Sequence, residues 1–120
     1  MPVTIVKRKL SGSTDGMPIK VVATATLGTT IHTAPAGTTD GNYDEVYLYA
    51  YNDHTAAVNL TIEYGGATVP DNTITVGLAS KSGLSLIIPG LLLQNAKVIT
   101  AFASTANVVT ISGYVNRISE

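Results

Sequence analysis

Short apolar runs separated by small polar residues dominate the last third of the chain. Residues 97–103 (KVITAFA) form one run and residues 108–115 (VVTISGYV) another, with residues 104–107 between them. Runs of this length, rich in β-branched residues and bounded by turn-forming residues, are typical of β-strands. The pattern predicts that the two runs form a β-hairpin, and neither run contains a side chain typical of a catalytic centre.

Alternating apolar and polar residues predict further strands upstream. These predicted strands cover residues 19–26, 29–33, 45–52, 57–64, 73–79 and 84–88, with shorter segments at 67–69 and 91–93. No segment has the 3.6-residue apolar period of an amphipathic helix. Regularly spaced short strands indicate a sandwich, jelly roll or small barrel. We predict an all-β fold, an antiparallel β-sandwich of jelly-roll-like type with about eight short strands.

One predicted strand, residues 45–52 (EVYLYAYN), is apolar on both faces. Its alternation places Tyr47, Tyr49 and Tyr51 together on the face opposite Val46 and Leu48. A strand of a two-layer sandwich needs only one buried face, and tyrosine is enriched at protein interfaces. The three tyrosines are therefore candidate contacts for a subunit or partner. The alternative is that they suit a half-exposed strand without binding anything.

Two parts of the chain resemble each other. Residues 49–64 and residues 101–114 each contain a strand, a short polar turn, and a strand that begins near Thr-Ala and ends in Tyr. This echo predicts two equivalent hairpins within the sandwich.

At 120 residues the chain has the length of one domain. Residues 19–120 are predicted to form the β-sandwich, preceded by residues 1–18 as an N-terminal arm or edge strand with a flexible joint. This segment holds the one cationic cluster, Lys7, Arg8 and Lys9. The cluster is a candidate contact for an acidic partner. The alternative is an edge strand protected by its charge.

Only 12% of the residues are charged, the net charge is −1, and there is no cysteine. Such a composition excludes a strongly basic nucleic-acid-binding protein and argues against binding to an anionic membrane. No run approaches the roughly 20 apolar residues of a membrane span, and the N-terminus lacks the apolar region of a secretory signal. A surface this poor in charge suits a protein packed against copies of itself or a partner.

Candidate chemistry is sparse. His32 and His54 share no metal-ligand spacing, and Asp53 beside His54 is typical of a hydrogen-bonded turn. Three acidic residues gathered around one loop could supply oxygen ligands to calcium, but their spacing does not match the calcium-loop pattern; they are Asp40, Asp44 and Glu45. Catalytic serine motifs and phosphate-binding glycine loops are also missing. We therefore expect a non-enzymatic protein without cofactor or metal.

A family resemblance is carried by residues 88–90 (IPG), 96–109 (AKVITAFASTANVV) and 113–115 (GYV), and upstream by residues 49–52 and 58–62. In these segments the chain resembles the small β-sandwich structural proteins of tailed bacteriophages. The resemblance covers about half of the chain and is one of general pattern, so no binding residue is carried over from the family.

Capsid decoration (cement) proteins belong to this group. The resemblance implies a non-enzymatic virion protein, made in the host cytoplasm, that binds the major capsid protein on the outer capsid surface. It also implies a homo-oligomer, with a trimer favoured. The charge of the chain predicts neither nucleic acid nor membrane as partner. The alternatives are a phage tail or fibre component and a lectin-like carbohydrate-binding module. The aromatic content, with no Trp, one Phe and six Tyr, weakens the lectin alternative.

Overall fold

The computed structural model describes residues 2–120, which form nine β-strands and no helix. The strands in chain order are β1 (Thr4–Lys9), β2 (Ile19–Lys20), β3 (Thr29–Thr33), β4 (Tyr43–Asn52), β5 (Val58–Tyr64), β6 (Thr73–Leu78), β7 (Ser85–Leu93), β8 (Val98–Ala103) and β9 (Val109–Ser119). Accordingly, the described residues include no helical segment able to cross a membrane.

The strands form two antiparallel sheets. Sheet A has the order β1-β9-β4-β7, with β2 also paired to β9, and sheet B has the order β3-β8-β5-β6. Strand β1 pairs with the C-terminal part of β9 and β2 with its N-terminal part, so the two act as one interrupted edge strand. Eight strands then remain, in two four-stranded sheets with the order of a jelly roll. The predicted all-β, jelly-roll-like sandwich is confirmed.

The core lies between the sheets and is built by the period-two alternation of their strands. Buried and half-buried residues alternate without exception along β4, so its inner side chains, Val46, Leu48 and Ala50, are inaccessible to solvent. From sheet B, Leu60 and Ile62 are equally buried and belong to the same apolar cluster. Each large side chain buried in this way stabilises the fold by roughly 1.5–3 kcal/mol.

The two segments predicted as hairpins connect different sheets instead. Strand β8 belongs to sheet B and β9 to sheet A, and β4 and β5 are divided in the same way. Within the sheets, β4 pairs with β9 and β5 with β8, so the two similar segments pair with each other. The hairpin prediction is wrong. Each strand of these segments has one apolar face, and the two strands bury these faces by lying in opposite sheets on the two sides of the core.

Several predicted strands also differ from the structure in their bounds, and β9 extends four residues beyond the predicted end at residue 115. Only Ile19 and Lys20 of the segment 19–26 are in a strand, because Thr29 Oγ1 accepts hydrogen bonds from the N–H groups of Val22 and Ala23. Residues 67–69 form no strand. The segments 84–88 and 91–93 are joined in β7, an edge strand that accommodates its Pro-Gly pair by shifts of register against β4.

The connection between β1 and β2 is attached to the opposite sheet. Leu10 is buried in the core cluster, and the N–H of Gly12 donates to the carbonyl of Ile31 at 2.9 Å. Ser11 Oγ accepts a hydrogen bond from the N–H of Thr33 at 2.8 Å. Residues 1–18, predicted as an arm or edge strand with a joint, thus comprise the edge strand β1 and a segment fastened to β3, while Met1 lies outside the described residues.

We predict that Gly113→Ala destabilises the fold, because β9 passes close to β4 at this position. A Cβ atom on Gly113 would lie 2.0 Å from the carbonyl oxygen of Tyr47, and the backbone there has a φ of +154°. We expect a loss of about 1–3 kcal/mol or more in the free energy of unfolding, measured by urea denaturation. Gly77→Ala is the matched control, since a Cβ there meets nothing closer than 3.6 Å. Equal stability of the two variants would contradict the prediction.

Candidate functional site

The three candidate tyrosines lie side by side on the outer face of sheet A. Tyr47, Tyr49 and Tyr51 alternate along β4 with its buried residues and are half-buried. Tyr47 stacks on Tyr114 of β9, with 4.9 Å between ring centroids and 20° between ring planes. The ammonium group of Lys7 lies 4.7 Å from the centroid of the Tyr114 ring. The structure therefore brings the candidate tyrosines and one member of the cationic cluster, Lys7, onto one surface.

Exposed leucines extend this surface to the edge of sheet A. Leu86 of β7 is opposite Tyr49 in the ladder, and Leu92 is opposite Glu45, so each shares a face with its neighbour. The two leucine side chains are 52% and 49% exposed. We call the surface formed by Tyr47, Tyr49, Tyr51, Tyr114, Leu86 and Leu92 the tyrosine face.

Two phenols of the tyrosine face, those of Tyr47 and Tyr51, are neutral at physiological pH because their pKa values are raised. Removal from water raises the pKa of Tyr47 above its usual value of 10.0, and the nearby carboxylate of Glu45 raises it further. The hydrogen bond that Tyr51 donates to Asp53 raises the pKa of Tyr51. Because neutral phenols both donate and accept hydrogen bonds, this face offers a partner apolar rings with polar edges.

The three residues of the cationic cluster point to two sides of β1. Lys7 and Lys9 are opposite Asn116 and Tyr114 and so lie on the outer face of sheet A. Arg8 is opposite Val115, whose side chain is buried in the core, so Arg8 lies on the inner side. All six residues of β1 are exposed. The cluster is thus divided between the tyrosine face and a pocket on the inner side.

A buried ionic network at the end of the core is the feature that the sequence did not reveal. Asp44 is fully buried and accepts hydrogen bonds from Arg117 Nε at 2.8 Å and Nη2 at 2.9 Å. His32, also buried, lies with Nε2 at 2.6 Å from Asp44 Oδ2. Its Nδ1 accepts the N–H of Ser11, so the ring proton is on Nε2 and is donated to Asp44. The network connects three strands, β3, β4 and β9.

The ionic network also explains why the acidic residues Asp40, Asp44 and Glu45 do not come together around one point. Asp44 points into the core, while Glu45, the next residue of the strand, points outward and accepts a hydrogen bond from Asn116 at 3.0 Å. Asp40 is exposed in the preceding loop. Among residues 2–120 no group of three or more His, Cys, Asp or Glu side chains is placed to hold a metal ion.

Hydrogen bonds hold the pKa of Asp44 below its ordinary value of 3.8. Burial by itself raises that pKa, but the hydrogen bonds and positive charge of Arg117, together with the hydrogen bond from His32, outweigh burial. The hydrogen bond to Asp44 in turn raises the pKa of Arg117. The pair is therefore ionised at neutral pH, in a fixed bidentate geometry.

A second buried carboxylate, Glu63, has a structural role on the outer side of sheet B. It is 1% exposed and accepts hydrogen bonds from the hydroxyls of Thr26 and Thr100 and from the N–H of Gly28. Burial raises the pKa of Glu63, but these three hydrogen bonds outweigh it and lower the pKa. Alternation correctly predicts that Glu63 faces outward, but the segment before β3 folds back over it.

A pocket of about 650 Å³ lies between β1 and the network. Its lining includes Arg8 on the inner side of β1, Ser11, and two members of the network, His32 and Arg117. Lys7 and Lys9, on the outer face of β1, also belong to the lining. Sequence reasoning identified Lys7, Arg8 and Lys9. It missed Arg117 because a lone cation near the end of a strand carries no motif.

In comparisons with protein-family models, curated proteins and solved structures, no significant match to this chain is found.

We predict that Asp44→Asn weakens the fold at neutral pH and flattens its acid denaturation. The pKa of Asp44 is lower in the folded protein than its ordinary value of 3.8, which applies to the unfolded chain. The ionised carboxylate therefore adds to the free energy of unfolding above pH 3.8, and this contribution disappears as the pH falls through the folded-state pKa. Removing one partner of a buried ion pair costs about 3–5 kcal/mol. Urea denaturation at a series of pH values measures both effects.

Asp71→Asn is the control for this experiment, because Asp71 is an exposed carboxylate in the connection between β5 and β6. Its pH profile is expected to follow that of the wild-type protein. If the Asp44→Asn variant lost stability at acidic pH as steeply as the wild-type protein, the network would not contribute to the pH dependence of stability.

Proposed function

We propose that this protein is a non-enzymatic structural protein of a virion, a head decoration protein that binds the capsid shell as a homo-oligomer. The observation that carries the proposal is the tyrosine face. Its aromatic and leucine side chains form a continuous half-exposed surface across sheet A. Surfaces of this composition are typical of protein interfaces, where tyrosines supply contact area at small entropic cost.

A second copy of the chain is the proposed occupant of the tyrosine face. The face is bordered by Lys7 and Lys9 on β1 and carries Glu45 on β4, so it presents charges of both signs. Neighbouring copies can therefore bury apolar area of this face while the lysines of one copy lie against Glu45 of the next. Leu86 and Leu92, about half exposed in the isolated chain, would be removed from water in the same contact.

The assignment to a capsid is supported by fold and by sequence resemblance. Jelly rolls are common in viral capsid and lectin domains, and the chain resembles small structural proteins of tailed phages. Fold alone does not determine function, so this support is by analogy. In the proposed mechanism a rigid sandwich bridges neighbouring shell subunits on the outer capsid surface, and many copies together resist internal pressure. The trimer is the assembly that the resemblance favours.

We predict that Tyr49→Glu disrupts self-association. Tyr49 lies near the middle of the tyrosine face, where a buried carboxylate without a partner is costly. Multi-angle light scattering is expected to give an oligomer for the wild-type protein and a monomer for the variant. Asn59→Glu is the matched control, because it adds the same charge at an exposed position on β5 of the other sheet. A monomeric wild-type protein at high concentration would contradict the proposed occupant.

We also predict that the protein co-sediments with capsids assembled from the major capsid protein of the same genome. Deletion of residues 1–16 removes β1 and is expected to reduce the bound fraction severalfold, since it removes the three cations. Circular dichroism of the truncated protein checks that the sandwich is retained. Wild-type protein that stays in the supernatant would overturn the decoration role, while unchanged binding of the truncated protein would exclude β1 from the contact.

The stacked pair of Tyr47 and Tyr114 supports one alternative, a lectin-like carbohydrate-binding module. Sugar rings pack on half-exposed aromatic side chains, and jelly rolls include lectin domains. Quenching of tyrosine fluorescence by host polysaccharides, together with a monomeric protein, would favour this alternative over the structural role.

A further inference from the structure

The pocket beneath β1 has a strong excess of positive charge. Arg8 and Arg117 line it from the inner side of sheet A. Lys7 and Lys9 also belong to its lining, but they lie on the outer face of β1, where the ammonium group of Lys7 is over the Tyr114 ring. The lining contains no acidic residue. The nearest carboxylate, Asp44, is fully buried behind Arg117. Among the described residues no carboxylate pairs with any cation of β1. In a protein whose net charge is −1, such a local concentration of unpaired cations is unusual.

Arg117 is held in place to donate hydrogen bonds into this pocket. Its guanidinium group donates one N–H from Nε and one from Nη2 to Asp44. A guanidinium carries five N–H groups, so three remain without a protein acceptor in the described structure. The side chain is 30% exposed, and its exposed part lines the pocket. Because the buried Asp44 fixes its orientation, little side-chain entropy is lost when it binds an anion.

Arg8 lies next to Arg117 on the same side of sheet A. Val6 is opposite Arg117 and Arg8 is opposite Val115, which makes Arg8 and Arg117 diagonal neighbours on adjacent strands. Diagonal neighbours of a ladder are roughly 7–8 Å apart, within joint reach of two long side chains. The like charges of Arg8 and Arg117 disfavour their approach, and an anion bound by both side chains would offset that repulsion.

Ser11 adds a neutral donor to the pocket wall. Its Oγ accepts the N–H of Thr33, and the hydroxyl proton has no acceptor among the described residues. His32 does not compete for an anion, because its one ring proton is donated to Asp44. The pocket therefore offers a fixed guanidinium edge, a second guanidinium and a hydroxyl, all as donors.

From this arrangement we propose that the pocket binds carboxylate groups. Paired guanidinium groups match the two oxygens of a carboxylate, and the pocket has no aromatic side chain on which a nucleic-acid base would stack. The carboxylate can come from an acidic segment of a partner protein or from a small free polycarboxylate. The inference goes beyond the proposed function, since carboxylate binding by the isolated protein stands even if the chain binds no capsid and does not self-associate.

Isothermal titration calorimetry in low-salt buffer tests this site with two probes, a capped hexaglutamate peptide and citrate. We expect the wild-type protein to bind at least one probe saturably. The Arg8→Gln variant is expected to bind that probe about tenfold more weakly, because it lacks one charged hydrogen bond. The control is Lys20→Gln, which removes one positive charge from an exposed residue of β2 outside the pocket and is expected to leave affinity unchanged. Arg8 is exposed, so its replacement is not expected to unfold the protein.

The outcomes separate the two sources of the carboxylate. Peptide binding with citrate as a competitor supports an acidic protein segment as the ligand, and citrate binding alone supports a small polycarboxylate. Absence of saturable binding, or equal loss in Arg8→Gln and Lys20→Gln, would overturn the site. Tighter binding of a thymidine octanucleotide than of the peptide would overturn it as well, because it would identify the cluster as a phosphate-backbone contact.

Discussion

The packing of four strands against one another determines the rest of this structure. Strands β4 and β9 of sheet A face β5 and β8 of sheet B, and their inner side chains form most of the core. Because the side-chain period is two, a register shift of one residue in any of them would turn its apolar set toward solvent. The same constraint places the four tyrosines of the tyrosine face on the outside, so this face is a direct result of how β4 and β9 are buried.

The ionic network lies where this apolar packing ends. Asp44 is at the start of β4 and Arg117 near the end of β9, so their pairing closes the core between the strands that form its centre. A buried ion pair costs desolvation and is weak support for stability unless its hydrogen bonds are complete. Here no buried side-chain polar atom among the described residues lacks a partner. Arg117 has two roles, since it neutralises Asp44 on one side and faces a cationic pocket on the other.

The sequence predicted the class of fold and several strands, but not how the strands are divided between the sheets. Alternation along residues 57–64 and 45–52 specifies strands and their buried faces directly. Turn residues such as those at 104–107 show where the chain reverses, and nothing in them shows whether the next strand stays in the same sheet. That choice depends on which strands complete the core, so both predicted hairpins were wrong.

The candidate site, too, was only partly predictable from the sequence, because only its local patterns are visible there. Tyr47, Tyr49 and Tyr51 repeat at the strand period, and Lys7, Arg8 and Lys9 are adjacent, so both groups are visible as local patterns. His32, Asp44 and Arg117 are far apart in the chain, and each is unremarkable alone. Their contact depends on the pairing of β4 with β9 and on the position of β3 across the core, which only the three-dimensional structure supplies.

The edges of sheet A have a consequence for how copies of this protein associate. An uncovered edge strand invites strand addition, which has no natural end and produces fibrils. One edge, β7, contains Pro89 and shifts of register, and the other, β1, carries three consecutive cations that repel the same strand of a second copy. Growth by edge pairing is therefore opposed at both sides of the sheet. The self-association proposed above uses the outer face of the sheet and not its edges, so it is compatible with a closed assembly of limited size.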